Sequence, residues 1–213
     1  MMITILGRRN SASVQLVMWA VNELGIEHQR HDYGHGHAST RTSAFLKMNP
    51  MGRVPVMIDR DTSLFESAAI LRYLGAAYGD DDFWPQDPML RASLDVWAEW
   101  GKNTFAEVVL RIFAYDVRLA PERRDPKILR EATDQLIPLA QMLDQRIGDG
   151  PWLDGNRFSF ADIACGHILH RYHTLDWPRP KLANLSRYYE RLQTREAFRN
   201  HAMVSYEDLR GSY

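Results

Sequence analysis

Cysteine is nearly absent: the chain of 213 residues has one, Cys165. That excludes an internal disulfide, a Cys-x-x-Cys redox pair and any metal site built on several thiolates. Net charge is nearly absent as well. Lys and Arg number 26 against 27 Asp and Glu, a formal charge of −1, so no long-range field draws in a nucleic-acid backbone or an anionic membrane. No apolar run nears the roughly 20 residues that cross a bilayer, and the opening Met1–Gly7 has no basic stretch followed by a long apolar core. The expectation is a cytoplasmic protein with no nucleic-acid or membrane partner. What is plentiful is apolar side chain, 45% of residues against 25% charged. That is enough for one large domain or two small ones sharing an interface.

The first 80 residues alternate between short β-compatible runs and helical periodicities. Residues 2–6 read as a strand, followed by the punctuated loop Gly7-Arg8-Arg9-Asn10-Ser11. From Ser13 to Leu24, apolar residues recur at three and four, and Gly25 stands where a helix C′ residue belongs. His28–Tyr33 suits a second strand, Ser43–Met48 a short helix, and Val54–Ile58 a strand whose early proline fits a first or edge position. A turn at Asp59–Thr62, a brief strand Ser63–Phe65 and a helix Ala68–Tyr78 complete a β-α-β-α-β-β-α unit. Residues 81–87, in a stretch with consecutive aspartates and two prolines, read as a linker.

From Pro88 onward only helical patterns remain, over Leu90 to about Tyr115, Ile128–Ile147, Ser159 to about Tyr172, and Leu182–Thr194. Ser159-Phe160-Ala161-Asp162 has the form of a capping box, with Phe158 and Ile163 at the positions of a hydrophobic staple. The tail after Ala197 reads as short and polar.

Three segments carry a resemblance that spans both halves in order. Asn49-Pro50-Met51-Gly52-Arg53-Val54-Pro55-Val56, Phe65-Glu66-Ser67-Ala68-Ala69-Ile70-Leu71-Arg72-Tyr73-Leu74, and the cap within Trp152–Ala164 are similar to stretches of the cytosolic glutathione transferase family, of the bacterial type with a serine site. The resemblance implies an α/β thioredoxin-like N-terminal domain (1–80) followed by an all-α helical-bundle C-terminal domain (88–213), acting as a homodimer. It implies a glutathione S-transferase that uses glutathione as co-substrate, without a metal, against an apolar small-molecule electrophile. Isomerase, peroxidase and thiol-disulfide oxidoreductase chemistry on the same thiolate stay open, as does a non-catalytic binding or scaffold role.

The resemblance also assigns residues. Val54, before a cis proline in the family, would pair with the cysteinyl unit of glutathione as a short antiparallel strand. Ser67 and the helix N-terminus would hold the γ-glutamyl carboxylate, with Glu66 balancing the ammonium. Arg53 could reach the glycyl carboxylate. The first loop has neither tyrosine nor cysteine, so Ser11 is the expected thiolate donor with Ser13 in support, and Arg8 and Arg9 are cations able to lower the thiol pKa without any hydroxyl. Each of these residues has a plainer alternative: the serines as helix caps, Glu66 as a solvated first-turn acid, Arg53 as a solvated loop cation.

Other candidates weigh towards structure. His31, His35 and His37 lack a metal-ligand frame and suit solvent or ligand contact. His167, His170 and His173 recur every third residue and spread over about 120°, so they diverge and read as core or interface histidines. Cys165, among apolar neighbours, reads as buried and inert. Trp97, Trp100, Phe105, Phe113 and Tyr115 are pocket candidates, although aromatics at helical spacing are usually core. Asn103 stands as a polar residue among them.

Overall fold

A computed structural model describes residues 2–212. Its N-terminal part contains β1 (Ile3–Leu6), α1 (Ala12–Glu23), β2 (His28–His31), α2 (Ser43–Met48), β3 (Val56–Asp59), β4 (Thr62–Phe65) and α3 (Ser67–Tyr78). The sheet has the order β2-β1-β3-β4. β1 and β2 run parallel, and β3 and β4 are antiparallel to their neighbours. The parallel pair needs a crossover, and α1 supplies it, ending where Gly25 takes a left-handed φ of 64°. Ile3, Ile5, Val56 and Met57 are fully buried, as strands covered by helices require.

The rest is helical: α4 (Pro88–Trp100), α5 (Ala106–Phe113), α6 (Pro126–Ile147), α7 (Phe160–Gly166), α8 (Leu169–Thr174), α9 (Ala183–Thr194) and α10 (Glu196–His201). Two wide π turns, Gly101–Phe105 and Ala114–Arg118, carry the chain on from α4 through α5. The helix expected to run from Ser159 to Tyr172 is instead two. Gly166 ends the first where a Cβ would meet Leu192 and the Trp19 ring at 2.9 Å. The tail expected to be short and polar contains α10, anchored by the fully buried Phe198.

Asp162 is the polar hub of the helical part. Its carboxylate accepts from the Ser159 N–H (2.8 Å), the Leu153 N–H (3.0 Å) and the Tyr188 hydroxyl (2.9 Å), while Ser159 Oγ accepts from the Ala161 N–H. The capping box is therefore complete, and it is fully buried. Burial pushes the Asp162 carboxyl up to about 6, against the donors that pull it down.

Side chains tie the two halves together. Arg72 on α3 pairs with Asp95 on α4 at 2.9 Å, and Arg195 pairs with Glu23 on α1 while its guanidinium lies 3.7 Å from the centre of the Phe158 ring. Cys165 is buried, with Sγ 3.2 Å from the Trp97 carbonyl, and burial raises its pKa. Its burial is as expected. His167 is buried with Nδ1 on the Ala164 carbonyl, His173 stacks on Tyr189, and His170 meets the Tyr189 hydroxyl. Burial lowers the pKa of all three, His167 lying in the core and His170 and His173 half-buried at its edge.

Candidate active site

The sheet register gathers the candidate residues at one end. β3 pairs with β4 so that Val56 faces Phe65, and β1 with β3 so that Leu6 faces Val56. Val54 lies two residues before this row, Arg8 two after Leu6, and Ser67 two after Phe65. Val54 precedes Pro55 through a cis peptide bond. Among the described residues, neither its N–H nor its C=O has a hydrogen-bond partner. An extended chain laid beside it would find one donor and one acceptor free.

Gly7 brings the first loop against this point. A Cβ there would lie 2.5 Å from Val14 Cγ2 and 3.2 Å from Val54 Cβ, so only glycine lets the loop pass between α1 and Val54. The loop is held from several sides. The Gly7 N–H donates to the His31 carbonyl (2.8 Å) and the Arg8 N–H to the Tyr33 carbonyl (3.1 Å). Asn10 Nδ2 donates to Asp208 Oδ2 (2.7 Å), and the buried Arg171 donates through Nη2 to the Asn10 carbonyl (2.7 Å). Arg171 also lies 4.3 Å from the centre of the Phe113 ring. Burial drives its pKa down to about 9, with the nearby Arg118 and Arg8 charges adding to the effect.

Ser11 occupies the N-cap of α1, yet its hydroxyl makes no capping bond. Ser13 is not a cap; it is the second residue of the helix and half-buried. The two neighbouring arginines part company. A Cβ on Gly34 would come within 3.2 Å of Arg8 Nη1 and 3.7 Å of Val54 Cγ1, so both side chains border Gly34. Arg9 reaches to α10 instead, where Nη2 donates to the Asn200 carbonyl at 3.2 Å.

Glu66 is the N-cap of α3 and holds an unusual backbone, φ 65° and ψ 108°. Its side chain is exposed and caps nothing, leaving the first N–H groups of α3 without a side-chain acceptor from the cap. Ser67, the first residue of that helix, is buried. An uncapped helix N-terminus with a hydroxyl at its mouth is an anion site in electrostatic terms. Arg53 adjoins Val54, but its side chain is exposed and bonds to nothing among the described residues.

The chain matches the family model for the glutathione S-transferase N-terminal domain over residues 1–76 and that for the C-terminal domain over residues 126–191. It is 34% identical over 208 residues to glutathione S-transferase GstB of Escherichia coli strain K12, covering 95% of this chain and 99% of that protein. The chain belongs to the glutathione S-transferase family. The solved theta class glutathione S-transferase of Xanthomonas axonopodis pv. citri, with glutathione bound, superposes with a TM-score of 0.90 at 34% identity, over 95% of this chain and 98% of that one. Glutathione S-transferase F14 of Arabidopsis thaliana is 31% identical over 79% of this chain and 67% of its own length.

In this glutathione S-transferase the aromatic candidates fall outside the sheet-end cluster. Trp97, Trp100 and Phe105 pack in succession, with centroids 5.3 and 5.6 Å apart, and Phe105 continues to Tyr172. Phe113 and Tyr115 are buried. Phe105, Phe113 and Tyr115 are core, and Trp97 and Trp100 are half-buried against it. Asn103 is exposed and donates to Glu99. His31, His35 and His37 are exposed on the strand end and loop after β2. Sequence reasoning missed Arg171 and Asp208, which fix the Ser11 loop from the far end of the chain; a cation within the helix after an apolar capped one was the available signal.

Proposed function

We propose that the chain binds glutathione along the sheet end and transfers its thiolate to an apolar electrophile. Val54 pairs with the cysteinyl unit. Ser67 and the first N–H groups of α3 take the γ-glutamyl carboxylate, Glu66 takes the ammonium, and Arg53 serves the glycyl carboxylate. Ser11 donates its hydroxyl hydrogen to the thiolate, with Ser13 and the α1 N-terminus in support and the Arg8 guanidinium nearby. The thiol proton passes to solvent. The sulfur pair then forms a C–S bond while the leaving group departs with its electrons, or, in an addition, the acceptor carbon takes a proton.

The observations that support this reading are an unpaired Val54 backbone two residues before the Val56–Phe65 pair that ends the β3–β4 ladder, and the uncapped N-terminus of α3 two residues after it. The glutathione-bound relative of the same fold supports it. We further propose residues 1–80 as the glutathione-binding domain, 81–87 as linker and 88–213 as the helical domain. A homodimer is the proposed assembly, supported by Met89 and Val96, seven apart on α4 and 79% and 65% exposed. The cytoplasm is the proposed location, and no helix among the described residues is long and apolar enough to cross a membrane.

Ultraviolet titration of bound glutathione tests the chemistry. The wild type should hold the thiol pKa at least about one unit below the free value near 8.5, and Ser11→Ala should return most of that shift. An unchanged pKa in Ser11→Ala removes Ser11 from the mechanism.

A further inference from the structure

The two peptide carbonyls that flank the Ser11 Cα are each held by a buried residue. Arg171 on α8 donates through Nη2 to the Asn10 carbonyl at 2.7 Å, and the Gln15 N–H donates to the Ser11 carbonyl at 2.8 Å. The two holders also meet each other, with Arg171 Nη2 3.4 Å from Gln15 Oε1. The Ser11 N–H in turn donates to the Arg8 carbonyl at 3.2 Å. The backbone of Ser11 is thus engaged on both sides, while its hydroxyl makes no capping bond.

Arg171 is a costly choice for a purely structural strut. It is 3% exposed, and among the described residues no carboxylate pairs with it. A buried cation without a counter-ion costs far more than a neutral donor would. The face of Phe113, 4.3 Å from the guanidinium, offsets part of this. Asn10 Oδ1 and Gln15 Nε2, buried in the same cluster, have no hydrogen-bond partner among the described residues, so the polar groups here are not matched for stability alone. What the cation supplies is a short charge-assisted bond at one end of the Asn10–Ser11 peptide. A peptide unit is planar and rigid, so fixing its oxygen fixes the Ser11 Cα at its other end. The hydroxyl is then carried on a fixed base, and a misplacement on the order of 1 Å at a reacting group can cost on the order of a hundredfold in rate.

On the reading that Ser11 donates to the glutathione thiolate, we propose that Arg171 is a positioning residue for that donor: through the Asn10 carbonyl it sets the Ser11 hydroxyl against the sulfur and ties thiolate formation to the helical part of the chain.

Ultraviolet titration of bound glutathione tests this, after calorimetry has established the concentration that saturates each variant. Arg171→Met fills the space without a donor, and Arg171→Gln, too short to reach the Asn10 carbonyl, stands beside it in case the first does not fold. Either should return at least about half of the thiol pKa shift that Ser11→Ala returns, with glutathione affinity within about threefold of the wild type. A merely structural loss would leave the thiol pKa where it is. Arg171→Lys, which keeps a cationic donor, should retain more of the shift than either neutral variant. The double variant Ser11→Ala/Arg171→Met, or its Gln counterpart, should shift no further than Ser11→Ala alone, because the arginine acts through the serine. A wild-type thiol pKa in the neutral variants overturns the assignment, as does a Lys variant that retains no more of the shift than they do, or a double variant in which the two shifts add. Wild-type protein that binds no glutathione, or a Ser11→Ala thiol pKa equal to that of the wild type, removes the underlying reading instead, and both results are in hand before Arg171 is changed.

Discussion

Asp162→Ala removes the acceptor on which four buried donors depend: the N–H groups of Leu153 and Ser159 and the hydroxyls of Tyr188 and Ser159. All sit where water does not reach, and each buried donor left unsatisfied costs roughly 1–3 kcal/mol. The loss should total about 5 kcal/mol, a large part of the roughly 5–15 kcal/mol by which such proteins are stable. For a chain of this size that corresponds to a fall in Tm of roughly 10–20 °C. Differential scanning calorimetry at neutral pH reads it directly, and a fall of under about 3 °C would refute the view of Asp162 as the hub of the helical part. The pH dependence has a definite sign. Because the native carboxyl is raised to about 6 from the usual 3.8, the folded state keeps a proton that the unfolded chain gives up. The stability this contributes is fully present below the unfolded value and is lost as pH rises through about 6. The wild type should therefore gain on the order of 3 kcal/mol relative to Asp162→Asn between neutral pH and pH about 4. A stability difference between the two that stays flat across that window would contradict the burial argument.

Gly7→Ala puts a methyl 2.5 Å from Val14 Cγ2; the expected result is a soluble protein with glutathione affinity reduced by at least about tenfold, since Val54 must shift with the loop, measured by retention on glutathione resin. Arg171→Ala leaves the buried Asn10 carbonyl without its donor and opens space beside the Phe113 ring, for an expected cost of about 2–4 kcal/mol in denaturant unfolding.

The sequence made the skeleton legible wherever a local signal sufficed. Gly25 closes α1 in the left-handed region as its position suggests, and the Ser159–Asp162 spacing marks the start of α7 because a capping box is a purely local device. What depends on packing was not legible. The break at Gly166 answers to Trp19 and Leu192, which lie far away in sequence, and α10 is held chiefly by one buried anchor, Phe198, too little for a helical stripe to be seen. The candidate site divides in the same way. Val54 and the Glu66-Ser67 pair came from family resemblance, because no periodicity distinguishes an unpaired backbone from a paired one. The parting of Arg8 from Arg9 is tertiary: Arg9 reaches the Asn200 carbonyl, while the Arg8 guanidinium borders Gly34.

The claim on which the functional account depends is that a tripeptide docks beside Val54 with its amino-acid head at the open end of α3. Calorimetric titration of glutathione into the wild type, with Ser67→Ala alongside, tests this most directly. The account expects saturable one-to-one binding by the wild type and affinity at least about tenfold lower in the variant, as the loss of a hydroxyl contact to a carboxylate implies. Absence of heat from the wild type at millimolar glutathione, or equal affinity in Ser67→Ala, would contradict it.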